Sequence, residues 1–356
     1  MKKVFLLLIF TLPSLIFAVE PHDYYSTADG TTNNQLRLAL HGVIDNHTVL
    51  TYTPGLWQMY YDSDRRSNGK IWDIYSTCTF DYGSDQCGSY TNVCDCYNRE
   101  HSIPQSWFGN ASPMVSDGFH IYPTDGKVNA IRGNFPYGET NTQPLSTDYG
   151  SNALGKRLGN SSFAGFSGTV FEPDDQYKGD LARTYFYMAT RYSDLCNDWG
   201  NSVFGSNNNG LTDYAKNLFL KWHRQDPVSQ KEIDRNNAIF DYQHNRNPFI
   251  DHPELAEYIW GNQVGTAWHA TNSIDLANIT QLEIYPIPAI DFIVVKSEKT
   301  SQSFDYEIFT ISSQITGKNT ANFNEQINIS DLSSGIYFIK ITVNGKTCVN
   351  KLIINK

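Results

Sequence analysis

Apolar side chains recur through the middle of the chain at helical spacing. In "DLARTYFYMATRY", Leu181, Tyr185, Met188 and Tyr192 fall at i, i+4, i+7 and i+11, which puts them on one face of a helix. "LTDYAKNLFLKWHRQDP" repeats the arrangement with Tyr214, Leu218, Phe219 and Trp222, and Pro227 marks its end. In "SQKEIDRNNAIF", Ser229 and Glu232 have the spacing of a capping box. Asp251 is expected to cap "HPELAEYIW", with Pro253 in the first turn. Upstream, Leu36 to Tyr61 is loosely helical and then mixed, and the β-branched and aromatic run "IWDIYSTCTF" predicts a strand. After Trp260 the pattern changes. A stretch without period gives way to alternation, so that "IYPIPAIDFIVVKS" and "FDYEIFTISS" predict strands. "GIYFIKITVNGKTCVNKLIINK" predicts a hairpin turning at Asn344-Gly345. The helices are scaffold, and the all-β tail carries no cluster of catalytic residue types.

The first residues follow neither pattern. "MKKVFLLLIFTLPSLIFAVE" has two lysines, an apolar run from Val4 to Phe17 and then Ala18, the layout of a secretory signal peptide over residues 1–18. No later segment is apolar enough to cross a bilayer. The expected divisions are therefore a signal peptide (1–18), a main domain (19–260), a linker (261–281) and a β module (282–356). Export permits disulfides. Cys78, Cys87, Cys94 and Cys96 crowd together, Cys196 is distant and Cys348 is near the end. A Cys78–Cys87 bridge is the first expectation, with Cys94 or Cys96 reaching Cys196. A zinc site is disfavoured, because the spacing is C-x-C rather than paired C-x-x-C.

At 40% hydrophobic and 14% aromatic the chain can bury a core, and its formal net charge of −10 argues against tight, static binding of DNA. That charge does not exclude phosphate chemistry, since a bound metal supplies positive charge locally. "YNREHSIPQSW" sets Arg99, Glu100 and His101 side by side. A neutral imidazole accepts a proton near neutral pH, and a carboxylate is a hard donor for Mg²⁺. Downstream, "HIYPTDGKVNAIRGN" reads as a short strand, a turn capped by Thr124 or Asp125, and a helix. Asn129 and Arg132 share a face of that helix. Asn129 offers an amide oxygen to a metal, and Arg132 a fork to phosphate. Neighbours on a regular strand point to opposite faces, so Glu100 and His101 serve one phosphate only through an irregular backbone or a water. The bland alternatives are a solvated charge cluster at 99–101, a hydrogen-bonded core histidine at His120, a simple cap at Asp125, a loop carboxylate at Glu139, and a rigid structural turn at "QHNRNPF".

These two blocks resemble the bacterial endonuclease I family of secreted, non-specific nucleases, of the ββα-metal (His-Me finger) group. Arg99-Glu100-His101, Pro104, Trp107, "HIYPTD", "VNAIRGN", "FPYGE", "FEPDDQYKGDLARTYFYM" and "NRNPFIDHPEL" carry the likeness over roughly residues 36 to 260. The resemblance implies an α+β fold, a ββα-metal core wrapped by helices, followed by a small all-β, sandwich-like domain. It makes His101 the base that activates water. It makes Glu100 and Asn129 the ligands of one Mg²⁺ (or Mn²⁺), and Arg132 or Arg99 the phosphate contact. DNA and RNA are the implied substrates, and a monomer is expected. The tail resembles the sorting domain of the type IX secretion system through "IYPIPAIDFIVV", "ISDLSSGIYFIKI" and "KLIINK", with Ile287 departing from the usual Tyr-Pro-Asn-Pro. It implies recognition by the type IX machinery, release or attachment at the cell surface, and no stable membrane insertion. Two rival classes fit the residues less well. A zinc protease lacks H-E-x-x-H. A secreted carbohydrate- or surface-binding adhesion module would not require Glu100, His101 and Asn129 together.

Overall fold

The computed structural model describes residues 20–356 except 22, 207–208, 271–281, 297–302, 311–313 and 344–345. The expected signal peptide, most of the expected linker and the Asn344-Gly345 turn lie outside the described residues. Two units separate, Met1–His269 and Ala270–Lys356. No helix among the described residues is long and apolar enough to cross a membrane.

The first unit begins with α1 (Asn33–Ile44) and α2 (Gly55–Ser63), followed by the hairpin of β1 (Tyr97–His101) and β2 (Ile121–Asp125) and by α3 (Gly126–Arg132). The strands pair antiparallel, from Tyr97 opposite Asp125 to His101 opposite Ile121. Asp125 ends the hairpin and starts the helix, because its carboxylate accepts from the Val128 backbone N–H at 3.0 Å. Such a cap contributes about 1 kcal/mol. Gly133 stops α3 at φ +56°, a left-handed conformation that glycine adopts without a Cβ penalty. Further on lie α4 (Ser146–Tyr149), the short pairs β3 (Gly159–Asn160) with β4 (Thr169–Val170) and β5 (Phe204–Gly205) with β6 (Gly210–Leu211), and α5 (Lys178–Arg191). The unit closes with α6 (Asp213–Gln225), α7 (Gln230–Gln243), α8 (Pro248–Asp251) and α9 (Leu255–Ile259).

All 14 residues of α5 are buried. Its apolar stripe was expected; the burial of its charged face was not. Arg183 is neutralised by Glu232 at 2.5 and 2.8 Å, and Lys178 by Glu172 at 2.8 Å, which is what permits ions to leave water. This helix backs the hairpin. The Thr184 hydroxyl meets the Tyr122 hydroxyl at 2.6 Å, and the Tyr185 hydroxyl donates to the Ser102 carbonyl at 2.8 Å. From α7, Arg235 grips Asp64 and the carbonyls of Gly118 and Ile121 at 2.8–2.9 Å. The capping box of Ser229 and Glu232 is present as expected.

Three local expectations are corrected. "IWDIYSTCTF" forms no strand among the described residues; it is extended chain with isolated bridges at Ile71 and Ser76. Asp73 and Ser76 in it bond locally, the competition that breaks ladders. Asp251 caps nothing: it sits at the end of α8 and takes Arg246 and Asn236, while Asn247 caps α8 by accepting from the Phe249 N–H. The disulfides are Cys78–Cys94 and Cys87–Cys96, with Cys196 and Cys348 free. Residues 85–87 run beside the start of β1, with the Cys87 N–H on the Tyr97 carbonyl at 3.2 Å and the Tyr97 N–H on the Asp85 carbonyl at 2.9 Å. That alignment brings Cys87 to Cys96 and leaves Cys94 for Cys78. Cys196 is buried, its thiol pushed up to about 11 by that burial.

The second unit is all β. One sheet has the order β10 (Ile315–Asn322), β9 (Ser303–Thr310), β12 (Gly335–Val343), β13 (Lys346–Ile354). The other runs β11 (Gln326–Asn328), β8 (Phe292–Lys296), β7 (Glu283–Tyr285). Alternate residues from both, among them Ile293, Val295, Ile327, Ile308, Ile339, Ile341 and Leu352, form one core, the two-period pattern expected of packed sheets.

Candidate active site

The unbroken register of β1 decides where the adjacent candidate residues Glu100 and His101 point. No bulge interrupts the strand, so side chains alternate. Asn98 and Glu100 meet α3: the Asn129 amide donates to Asn98 Oδ1 at 2.7 Å, and Arg132 donates to Glu100 Oε1 at 3.0 Å. His101 and Arg99 meet Tyr52 instead, His101 stacked on that ring at 5.9 Å and Arg99 seated 3.6 Å from its centre. Of the two expected alternatives, an irregular backbone or a bridging water, the first is absent within the strand; the chain leaves β geometry only after His101, at the end of the ladder.

His101 has a defined tautomer. Its Nε2 lies 3.1 Å from the Val115 carbonyl, which only accepts, so Nε2 carries the proton. Nδ1 holds the lone pair and receives the Gln105 amide at 3.2 Å. Burial, then the neighbouring His120 ring, lowers the imidazole to about 3, so it is neutral at physiological pH. His120 itself is fully buried, donating from Nε2 to the Met114 carbonyl at 2.7 Å. That is the core histidine the sequence suggested, 5.5 Å from His101 ring to ring.

Glu100 is 3% exposed. Burial holds its carboxyl above the usual carboxylate range, against the opposing pull of Arg132 and of the hydroxyls of Tyr75 and Tyr137. The Tyr75 hydroxyl donates to Oε1 at 2.7 Å and meets the Tyr137 hydroxyl at 2.5 Å. Arg132 is 1% exposed. Besides Glu100 it donates to the carbonyls of His101 and Ser102 at 2.9 and 2.6 Å, and its guanidinium lies 4.6 Å from the centre of the Tyr137 ring. Burial works to lower this guanidinium, and Glu100 with Tyr137, Tyr75 and Tyr185 reverses that. Arg132, expected as a phosphate contact, has Nη1 and Nη2 engaged inside the protein on the strand that carries Glu100 and on the residues that follow it. Arg99 is half-buried at the surface, with Nη1 on the Tyr52 carbonyl and on Thr53 Oγ1 at 2.8 Å.

Sequence reasoning missed Tyr52, Tyr75, Asn98, Gln105, the Val115 carbonyl and Tyr137. Tyr75 sat in a run read as strand, and Asn98 and Gln105 flank the Arg-Glu-His triplet with no spacing rule to mark them. Nothing in a single sequence joins Val115 to His101.

Among the described residues no three His, Cys, Asp or Glu side chains converge. A cation here would thus be held by few protein atoms. The chemistry fits a hard divalent ion that keeps most of its waters: Glu100 would supply carboxylate oxygen. Asn129, whose nitrogen is turned to Asn98 and the Arg99 carbonyl, keeps its Oδ1 free of hydrogen bonds among the described residues.

Residues 32–254 match the family model described as Endonuclease I, and 283–355 that of a secretion system C-terminal sorting domain. The chain is 36% identical over 249 residues to an extracellular ribonuclease of Bacillus amyloliquefaciens, covering 68% of this chain and 80% of the relative. It is likewise 36% identical over 244 residues to the extracellular ribonuclease of Bacillus subtilis (67% and 78%). Against an extracellular deoxyribonuclease of Aeromonas hydrophila the figure is 28% over 174 residues (49% and 57%). The family is generally metal-dependent. With its ββα hairpin and its sorting domain, the chain belongs to the Endonuclease I family as a secreted nuclease.

Proposed function

We propose that the enzyme hydrolyses phosphodiester bonds of both RNA and DNA with little regard for sequence, with His101 as general base and Glu100 and Asn129 as ligands of one Mg²⁺ (or Mn²⁺). The observation that carries this reading is the His101 geometry, with Nε2–H on the Val115 carbonyl and the Nδ1 lone pair under a displaceable amide. An incoming water replaces the Gln105 amide at Nδ1 and loses its proton there as its oxygen bonds to phosphorus and the P–O bond to the leaving oxygen breaks, that oxygen taking its proton from solvent. A phosphate anion beside the ring favours the imidazolium that forms, countering the burial that otherwise depresses it. Arg132 and Tyr75 fix Glu100 and favour its ionised form against burial, and Asn98 keeps the Asn129 oxygen turned outward. The cation, when bound, would supply positive charge to the phosphate and the leaving oxygen. Arg99, not Arg132, is the arginine with surface access for a phosphate.

Both nucleic acids are included because the relatives at 36% identity are named ribonucleases and one at 28% a deoxyribonuclease, and because phosphate contacts carry no base information. The tail would be read by the type IX machinery and removed after export. Purified protein incubated with plasmid DNA and with ribosomal RNA, with and without chelator, tests the reading. Cleavage of both, abolished by chelator and restored by Mg²⁺, is expected; chelator-resistant cleavage would refute it.

A further inference from the structure

Three partly exposed arginines of the nuclease unit sit over aromatic rings and meet no carboxylate at ion-pair distance among the described residues; the buried Arg191, over Tyr192, is turned to His47 instead. Arg99 lies 3.6 Å from the centre of Tyr52 and 4.5 Å from that of Trp57, Arg65 3.4 Å from Tyr61, and Arg66 4.5 Å from Trp72. Other exposed arginines of the unit are neutralised: Arg157 pairs with Asp148 at 2.5 Å and Arg224 with Glu257 at 2.7 Å. In a chain of net charge −10, three cations without acidic partners on one strip of surface stand out.

The strip is continuous with the site. His101 stacks on Tyr52, and Arg99 joins Tyr52 to Trp57. The Tyr82 hydroxyl donates to the Trp57 carbonyl at 2.9 Å, and its ring meets Tyr61 at 5.1 Å. Trp57 and Tyr61 are four apart on α2 and so share a face. At the far end Tyr61, Asp62, Arg65, Arg66, Ser67 and Gly69 line an open cavity of about 340 Å³. Its one carboxylate, Asp62, takes the Tyr242 hydroxyl at 2.5 Å. Tyr52 and Tyr61 are 37% and 46% exposed.

We infer that this strip binds a nucleic-acid strand, which runs from the scissile phosphate at His101 along α2 to a distal phosphate subsite at Arg65 and Arg66. The inference rests on the reading of His101 as the catalytic base. Guanidinium forks held against rings are pre-organised for phosphate oxygens, and exposed rings offer stacking to unpaired bases of any sequence. The nine residues of α2 rise about 13 Å, which at one charge per roughly 3.4 Å of each strand matches about four nucleotides. The favoured substrate is thus a strand with several nucleotides on one side of the cut, not a dinucleotide.

Binding of a fluorescein-labelled single-stranded 20-mer to the full chain, read by anisotropy in chelator, tests this without turnover. Arg65→Ala/Arg66→Ala is expected to weaken Kd about fivefold to tenfold and to reduce the slope of log Kd against log salt by about 1.4, from two phosphate contacts at roughly 0.7 each. Arg157→Ala, which removes an ion-paired arginine elsewhere, is expected to change neither. A double variant within twofold of the parent, with an unchanged slope, would overturn the track. So would an equal loss in Arg157→Ala, which would mean diffuse charge alone. Because no bond is cut, a failure of the catalytic reading appears separately, as undiminished cleavage by His101→Ala.

Discussion

The Arg132 guanidinium lies 3.0 Å from Glu100 Oε1 with both side chains withdrawn from solvent, and the same guanidinium holds the backbone carbonyls of His101 and Ser102. One buried cation thereby fixes the carboxylate and the end of the strand that carries the imidazole. Removing one partner from a buried pair strands the other, at about 3–5 kcal/mol.

Arg132→Ala is therefore expected to lose stability first. Urea midpoints should fall by an amount in that range. Arg132→Lys, which keeps the charge but not the fork, should recover only part of it. A variant of parental stability with only a raised KM would return Arg132 to the substrate.

His101→Ala should lower kcat by roughly 10²–10⁴ with the parental circular dichroism retained, while the urea midpoint falls by an amount equivalent to about 1–3 kcal/mol, because the loss of the buried ring leaves the Val115 carbonyl without its donor. Full activity in this variant would exclude the proposed base.

Asn98 Oδ1 receives the Asn129 amide at 2.7 Å. Asn98→Ala should leave the Asn129 amide unanchored and weaken Mn²⁺ binding, measured calorimetrically, about tenfold or more. Asn98→Asp, which retains an acceptor, should rescue most of that loss. Equal affinities in all three proteins would show that Asn129 is held otherwise.

His252 gives a pH signature far from the site. Burial opposes its charge, but Glu20 at 3.1 Å and Glu254 at 3.3 Å raise it to about 9. A raised histidine binds its proton more tightly folded than unfolded. Its contribution is complete below the unfolded value near 6.5 and is lost as pH climbs towards 9. Stability should decline across that window by on the order of 1–2 kcal/mol after solvent screening. His252→Asn should flatten the decline, as read by urea titrations from pH 6 to 9.5.

Non-reducing peptide mapping should find Cys78 linked to Cys94 and Cys87 to Cys96, with Cys196 alkylated only after unfolding. Replacing Cys87 and Cys96 together by serine should cost about 2–4 kcal/mol. Any peptide joining Cys196 to the cluster would contradict the pairing.

Local order alone made much of this legible. The Ser229–Glu232 box, a helix cap at Thr124 or Asp125, the Gly133 stop and the alternation of the tail depend on neighbours within a turn or along one strand. So the sequence carries them without further information, as the Glu100-His101 and Asn129 blocks carried the family resemblance. What it did not determine depends on which distant groups meet. Arg132 has the chemistry of a phosphate clamp and becomes an internal tie only because β1 lies across it. Cys87 finds Cys96 because a loop aligns with Tyr97, a pairing that closeness in sequence does not rank. The polar face of α5, ordinary for a solvated helix, is buried because Glu172 and Glu232 arrive from elsewhere to neutralise it. Spacing fixes what one element presents; only packing decides whether a charge is left for water, for substrate or for another charge, since the cost of burial is offset only by the partner that tertiary structure delivers.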